Sequence, residues 1–433
     1  MATGTAMARL TRLRRKHRRA EDRAAAALAP GRVARNVVIL GLSLLIAAHA
    51  GLMALASAVR AQNPALVVRL TQDPLAPVYL LDSELRTAPN RIASERAATV
   101  ARDSLRQQAI GPASFRLLAL HHLARREPRR ASAFGAFSER LSRRDLMTQL
   151  FLIEEAVQAN DTRRALSHYD KALRISDGAK TLLFPVLSAA ISDAAIRRAV
   201  VPYVQGRAPW SRYFVHAVIQ DGDGGPRRAA ALLIAARAGR QVDLIEAEAP
   251  VLFERLVEQN EFALAERLFL QVPGTSPQTL RTVGFMPATT SGPFGPISWE
   301  TTNTGSVSAA FEGGDGGRRA VRLFASSGET GVFLRRVLKL PAGSYRLAES
   351  RTLTAGGPPG RVYWEMKCGV GRNLAPIWQS PSAPIAYRVS NAPGPRIPAN
   401  CPYQVLELKF YAGDGQQGLE LLINSFDLVP ARP

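Results

Sequence analysis

Glu365 and Glu407 are the residues of this chain whose type and surroundings come nearest to chemistry. Glycoside-cleaving enzymes work with two carboxylates about 5 to 9 Å apart, one an acid and the other a nucleophile or base. In the stretch 361–368, strand alternation puts Val362, Trp364, Met366 and Cys368 on one face and Tyr363, Glu365 and Lys367 on the other. In the stretch 404–411, Leu406, Leu408 and Phe410 point one way, and Glu407, Lys409 and Tyr411 the other. The apolar sets belong in a core. If the two strands are neighbours, the polar sets make one patch, in which tyrosine rings cover the apolar side of a sugar while Glu365, Lys367, Glu407 and Lys409 bond its hydroxyls. Tyr363, Glu365, Lys367, Glu407, Lys409 and Tyr411 are therefore the candidate glycan-binding set. Two readings compete with it: a solvated face held by cross-strand Glu–Lys pairs, and hydrolysis by the two carboxylates.

Other catalytic constellations are scarce. The six histidines are His17, His49, His121, His122, His168 and His216, so the last half of the chain holds none. A Ser-His-Asp triad, a Cys-His pair or a histidine metal site cannot be built there. His121 and His122 are adjacent on a helical segment and point to different faces, without the Glu and the i+4 His of a zinc protease. His168 and Asp170 flank a packing residue, Tyr169, and are expected on a solvated face. No catalytic residue, metal or cofactor is expected. The net charge of +21 invites a nucleic-acid reading, but the first 35 residues supply ten basic and two acidic side chains, a surplus of eight, and the rest is thinly spread. No helix, arm or aromatic-basic motif for bases is present, and no nucleic-acid partner is expected.

The elements that must carry these residues begin with a membrane segment. Residues 36–59 are an uncharged apolar run of 24 residues behind the basic tail 1–35, long enough as a helix to span a bilayer core of about 30 Å. The positive flank resists translocation, which keeps the N-terminus cytoplasmic and puts the remainder outside. A cleaved signal peptide is the rival reading, because Ala56-Ser57-Ala58 and Val59-Arg60-Ala61 offer cleavage sites. The run exceeds the usual signal core of about 7 to 15 residues, so a retained anchor in a bacterial inner membrane is preferred. In the oxidising compartment beyond it, Cys368 and Cys401 are expected to pair.

Beyond the anchor the composition divides. Residues 64–272 are rich in Ala, Leu and Arg and read as short amphipathic helices, among them 114–126, 143–159, 162–175, 227–237 and 251–259. After a linker at 273–282, residues 283–433 turn to Gly, Pro, Ser, Thr and aromatics, with alternating stretches at 306–311, 320–324, 331–340, 344–353, 361–368, 385–389, 404–411 and 418–428. The expected fold class is α + β multidomain: one transmembrane helix, a helical domain and an all-β sandwich of jelly-roll type.

Two resemblances follow. Ala165, Tyr169 and Ala172, behind a break at Asn160-Asp161, resemble the second helix of the tetratricopeptide repeat. Ala265 and Phe269 behind Asn260-Glu261 give a second copy, with Val272 in place of the last small residue. Ala131 and Ala199 lie 34 residues either side of Ala165, while Ile153 and Ala156 stand where the family favours Gly and Tyr. The resemblance implies protein binding through a concave surface, with envelope or membrane proteins as partners. In the last 150 or so residues, Pro293-Phe294-Gly295-Pro296-Ile297-Ser298-Trp299-Glu300, Leu340-Pro341-Ala342-Gly343-Ser344-Tyr345 and Leu421-Leu422-Ile423-Asn424-Ser425-Phe426 resemble jelly-roll carbohydrate-binding modules. That likeness implies a non-catalytic ligand-binding or packing module.

Together these features predict a non-enzymatic, membrane-anchored periplasmic component of cell-surface polysaccharide assembly or export, with a general interaction scaffold and a carbohydrate-active enzyme as alternatives. A reporter active only outside the cytoplasm, fused after Pro433, is expected to be active, and a stable but inactive fusion reverses the topology. Deleting residues 1–60 is expected to yield a soluble protein, assayed by partition from membranes.

Overall fold

The computed structural model describes residues 30–87, 94–236, 242–290, 293–313, 319–355, 360–371, 374–381, 387–414 and 418–431. Most of the basic tail and the glycine cluster at 314–317 fall outside these. Helix α1 (Pro30–Val59) contains the stretch Ala34–Val59, with a mean hydropathy of 2.3 and no burial in its apolar window. Among the described residues it is the one helix long and apolar enough to cross a membrane. A short turn leads into α2 (Pro64–Leu70), where the Asn63 side chain accepts from the Leu66 amide at 3.2 Å and Pro64 occupies the first turn. Val67 of α2 packs on Ala56 and Val59 of α1. Arg60 in the turn pairs with Asp73 at 3.3 Å and lies over the Tyr79 ring at 5.6 Å.

Contacts divide the chain after Glu155, within helix α7 (Leu146–Gln158), and not in the expected linker. The first unit adds α3 (Ala76–Thr87), α4 (Ser94–Gln107), α5 (Pro112–Ala124) and α6 (Pro128–Leu141). Its core is Val78, Leu81, Ala98, Ala101 and Leu117. Arg116, buried on α5, donates to Asp82 of α3 at 2.5 and 2.7 Å and to Asp145 ahead of α7 at 3.0 Å. A buried guanidinium is tolerable because two carboxylates meet its fork.

The first whole helix of the second unit is α8 (Thr162–Ile175), where the sequence puts a helix with the same ends. Asn160 enters the left-handed region at φ 54°, and the Asp161 amide donates back to the Ala156 carbonyl at 2.9 Å. Asp161 then caps α8 through the Arg164 amide at 3.0 Å. Asn tolerates that backbone better than most residues, which is why Asn-Asp reads as a break. Ala165, Tyr169 and Ala172 are buried where α8 meets α9 (Asp177–Ala190) and α10 (Ala194–Gln205). His168 corrects the expectation of a solvated neighbour: it is buried too, because helices lie on two flanks of α8 and widen its covered face. Helices α11 (Ser211–Gln220), α12 (Gly225–Ala235), α13 (Val242–Glu258) and α14 (Phe262–Phe269) follow. The turn into α14 repeats the device, with Asn260 at φ 59° and the Glu261 amide donating to Leu256 at 2.8 Å. Ala265, Phe269 and Val272 are buried.

After a short helix, α15 (Pro287–Thr290), come two antiparallel five-stranded sheets. One runs β1 (Glu300–Thr301), β4 (Thr330–Leu338), β9 (Gln404–Tyr411), β6 (Arg361–Lys367) and β7 (Trp378–Gln379) across the sheet. The other runs β2 (Val307–Gly313), β3 (Arg319–Ala325), β10 (Leu419–Pro430), β5 (Gly343–Ala355) and β8 (Tyr387–Ile397). A single core fills the space between them, centred on Phe285, Trp299, Trp364 and Phe426, with Trp364 stacked on Phe426 at 3.9 Å. Eight of the ten strands coincide with expected alternating stretches. Strands β1 and β7 escape because two residues show no period. Strand β8 runs on through Pro393-Gly394, which an edge position permits. A side chain at Gly394 would put its Cβ 2.8 Å from the Tyr345 carbonyl oxygen.

Segment 273–282, expected to be a linker, is packed. Leu280 is buried and its carbonyl accepts from the Lys339 amide at 2.9 Å. The buried Arg336 donates to the Thr279 carbonyl at 2.6 Å.

Replacing Tyr169 by Ala is expected to cost about 2 to 4 kcal/mol through lost burial and a cavity between helices. Urea unfolding measures it, and a change of a few tenths would mean the ring contributes no packing.

Candidate functional site

Strands β6 and β9 are neighbours, and their register brings the six candidate residues onto one face. Tyr363 lies opposite Lys409, Glu365 opposite Glu407 and Arg361 opposite Tyr411. The inward set behaves as alternation requires: Val362, Trp364, Met366, Leu406, Leu408 and Phe410 are all in the core. Along one transverse line the outer face carries a polar row through all five strands: Glu300, Arg335, Glu407, Glu365 and Gln379. Two glutamates directly opposite each other would repel. Lys409 removes the conflict by reaching Glu365 at 2.6 Å and Glu407 at 3.5 Å, and Lys367 adds a contact to Glu365 at 3.1 Å. Arg335 meets Glu300 at 2.7 Å and Glu254 of α13 at 3.7 Å.

Glu365, expected as part of an open patch, points outward but is only 8% exposed. Burial alone would raise its carboxyl; the hydrogen bonds from Lys409 and Lys367 outweigh this and hold it below its ordinary 4.5. On Lys409 burial works against the charge, and the bond to Glu365 holds the ammonium above its usual value. Tyr363 and Tyr411 remain half-buried, diagonal neighbours on the adjacent strands. The Tyr411 hydroxyl donates to Asp414 at 2.6 Å.

Loops and strand ends of this sheet meet the helices. Phe253 of α13 and Phe269 of α14 pack edge-on against Phe294, and Phe262 stacks on Tyr403 at 5.5 Å. The Glu266 carboxylate of α14 takes Lys339 at 2.7 Å and the Tyr403 hydroxyl at 2.5 Å. Asn260 accepts from the Val370 amide at 2.8 Å and donates to the Val370 carbonyl at 3.0 Å. Neighbouring Gly369 sits at φ 131°, and a Cβ there would lie 2.7 Å from the Asn260 side-chain oxygen. Cys368 and Cys401 form the expected disulfide, with Cα atoms 5.3 Å apart. It ties the strand end next to Val370 to the strand start next to Tyr403.

Three buried charged residues of the sandwich were not anticipated from sequence. Glu349 and Arg351 on β5 point inward, form a bidentate pair at 2.6 and 3.0 Å, and engage Trp364, whose indole N–H donates to Glu349 at 2.9 Å. The alternation Tyr345, Leu347, Glu349, Arg351 carried the signal, since period two assigns both charges to the core face. Arg336, also inward, has no such partner in register and takes backbone carbonyls instead, with its guanidinium over Trp299 at 5.4 Å. Burial pushes it down to about 9. Among the histidines, His121 is buried, His122 pairs with Glu127 at 2.8 Å, and His216 pairs with Glu248 at 2.8 Å. No group of three or more metal-ligating side chains occurs among the described residues.

No family model, no curated protein and no solved structure matches this chain.

A lowered carboxyl contributes stability that is complete above its unfolded value and is lost as pH falls through its folded one. Glu365→Gln is therefore expected to cost roughly 1 to 3 kcal/mol at pH 7, with the difference from wild type shrinking below about pH 4.5. Urea unfolding across pH 3 to 7 tests this, and a difference independent of pH would show that the ion pairs do not set it.

Proposed function

We propose that this chain is a non-enzymatic component of cell-surface polysaccharide assembly or export, anchored by α1 in a bacterial inner membrane with its folded part in the periplasm. Protein binding falls to the helices, read as degenerate tetratricopeptide-like repeats, and glycan binding to the sandwich, read as a jelly-roll module. The observation that carries the glycan reading is the diagonal placement of Tyr363 and Tyr411 on adjacent strands, half-exposed and beside the ion pairs of Lys409. Two rings on one flat face suit stacking against a sugar's apolar side, and the flanking Arg361 and Lys409 suit its hydroxyls or acidic substituents. The repeat reading is supported by the recurring turn at Asn160 and Asn260 and by buried Ala165, Tyr169, Ala172, Ala265 and Phe269. Disulfide bonding suits a compartment outside the cytoplasm.

Hydrolysis is the weaker reading. A glycosidase acid needs a raised carboxyl, whereas Glu365 is held low and shares Lys409 with Glu407. A second reading, an interaction scaffold without a glycan role, is favoured by the way Glu365, Lys367, Glu407 and Lys409 satisfy one another.

Calorimetry with the chain lacking residues 1–60 and the host's surface polysaccharide separates the two. Binding is expected in the micromolar to millimolar range, weakened at least about tenfold by Tyr363→Ala with Tyr411→Ala while the fold is kept. No heat from the wild type would leave the scaffold.

A further inference from the structure

The junction between α1 and α2 leaves an apolar surface that the folded part of the first unit does not cover. An open groove there is lined by Leu52, Leu55, Ala56 and Val59 of α1 and by Leu66 and Leu70 of α2. Its walls are continuous with the exposed flank of α1. Leu66 is 45% exposed and Leu70 59%, unusual for two leucines one turn apart on a seven-residue helix. The neighbouring Thr71 hydroxyl is satisfied by the Val67 carbonyl at 2.9 Å, so it offers the groove no unpaired polar atom.

Depth decides what covers this surface. The apolar stretch Ala34–Val59 is 26 residues, about 39 Å as a helix against a hydrocarbon core of about 30 Å. Its last turns therefore lie at the boundary between acyl chains and headgroups, and α2 packs on those turns through Val67 against Ala56 and Val59. Arg69, exposed on α2, can extend toward phosphate while its stem lies along the apolar surface.

We propose that α2 is an interfacial helix whose Leu66 and Leu70 face lies in the outer leaflet, with phospholipid acyl chains filling the groove between α2 and α1. The bilayer is then contacted by a second element besides the spanning helix. This rests on α1 being a retained anchor, the reading given above. A short helix with an apolar face and a cation is suited to this position, because the apolar side enters the boundary by about 5 to 10 Å.

The native cysteines are paired, so single introduced cysteines give unique labelling sites. Full-length Leu55→Cys, Leu66→Cys, Leu70→Cys and Arg130→Cys would each carry an environment-sensitive fluorophore in phosphatidylcholine–phosphatidylglycerol vesicles containing lipid nitroxide-labelled near the top of the acyl chain. Probes at 66 and 70 are expected to show at least about half the quenching seen at 55, with no quenching at 130. Quenching at 55 without quenching at 66 and 70 would overturn the proposal and leave the anchor intact. Loss of quenching at all of 55, 66 and 70 would remove the anchor reading and the proposal together.

Discussion

The second unit depends on one carboxylate. Glu266, at the middle of α14, accepts from Lys339 just after β4 and from Tyr403 just before β9, so a single side chain joins α14 to the ends of two adjacent inner strands of a sheet. Burial works against its charge, yet the two donors hold its carboxyl below the ordinary glutamate value, while burial first and the bond to Glu266 second hold the Tyr403 hydroxyl above its own. Phe262 stacks on Tyr403 beside this contact, and Phe253 and Phe269 pack on Phe294. Removing either donor is costly because the Glu266 carboxylate stays buried without it. The disulfide acts close by, since it ties the loop bearing Val370, which meets Asn260 in the α13–α14 turn, to the loop bearing Tyr403, which meets Glu266 of α14.

Much of this was legible in the residues. Helix α8, the Asn160 and Asn260 turns and the inward faces of β6 and β9 follow from local rules: period, left-handed asparagine and alternation. What local rules could not supply is the tertiary partner. That β6 lies beside β9 is a matter of sheet topology, and only this adjacency turns Glu365, Glu407 and Lys409 into one ion cluster. For the same reason His168 reads as solvated until two neighbouring helices are in place. Segment 273–282 has a linker's composition, yet its Thr279 and Leu280 carbonyls accept from Arg336 and Lys339 and so fix it to the end of β4, a tertiary pairing that composition does not reveal.

Charge inside the sandwich also constrains pairing. Glu349, Arg351 and Arg336 are buried among aromatics, where apolar residues would pack at lower desolvation cost. Each has a directional need: Glu349 for the Trp364 indole and for Arg351, Arg351 for the Val362 carbonyl, Arg336 for the carbonyls of 279 and 283. A slip of one residue in β5 or β4 would turn these groups to the opposite face and strand their partners, so the interior penalises wrong registers in a way that Leu or Val would not.

The way α1 ends has a mechanical consequence. Between Val59 and Pro64 there are four residues, and Arg60 among them is fixed by Asp73 and by the Tyr79 ring. A flexible tether would let the rest of the first unit wander while α1 stays put. This joint instead behaves as a handle: tilting or rotating α1 turns Ala56 and Val59 against Val67, and through Arg60 and Asp73 moves the start of α3 as well. With α1 as the membrane anchor proposed above, torque applied within the bilayer would be delivered to the folded part of the first unit as a change of orientation, and load on that part would be returned to the lipid as tilt.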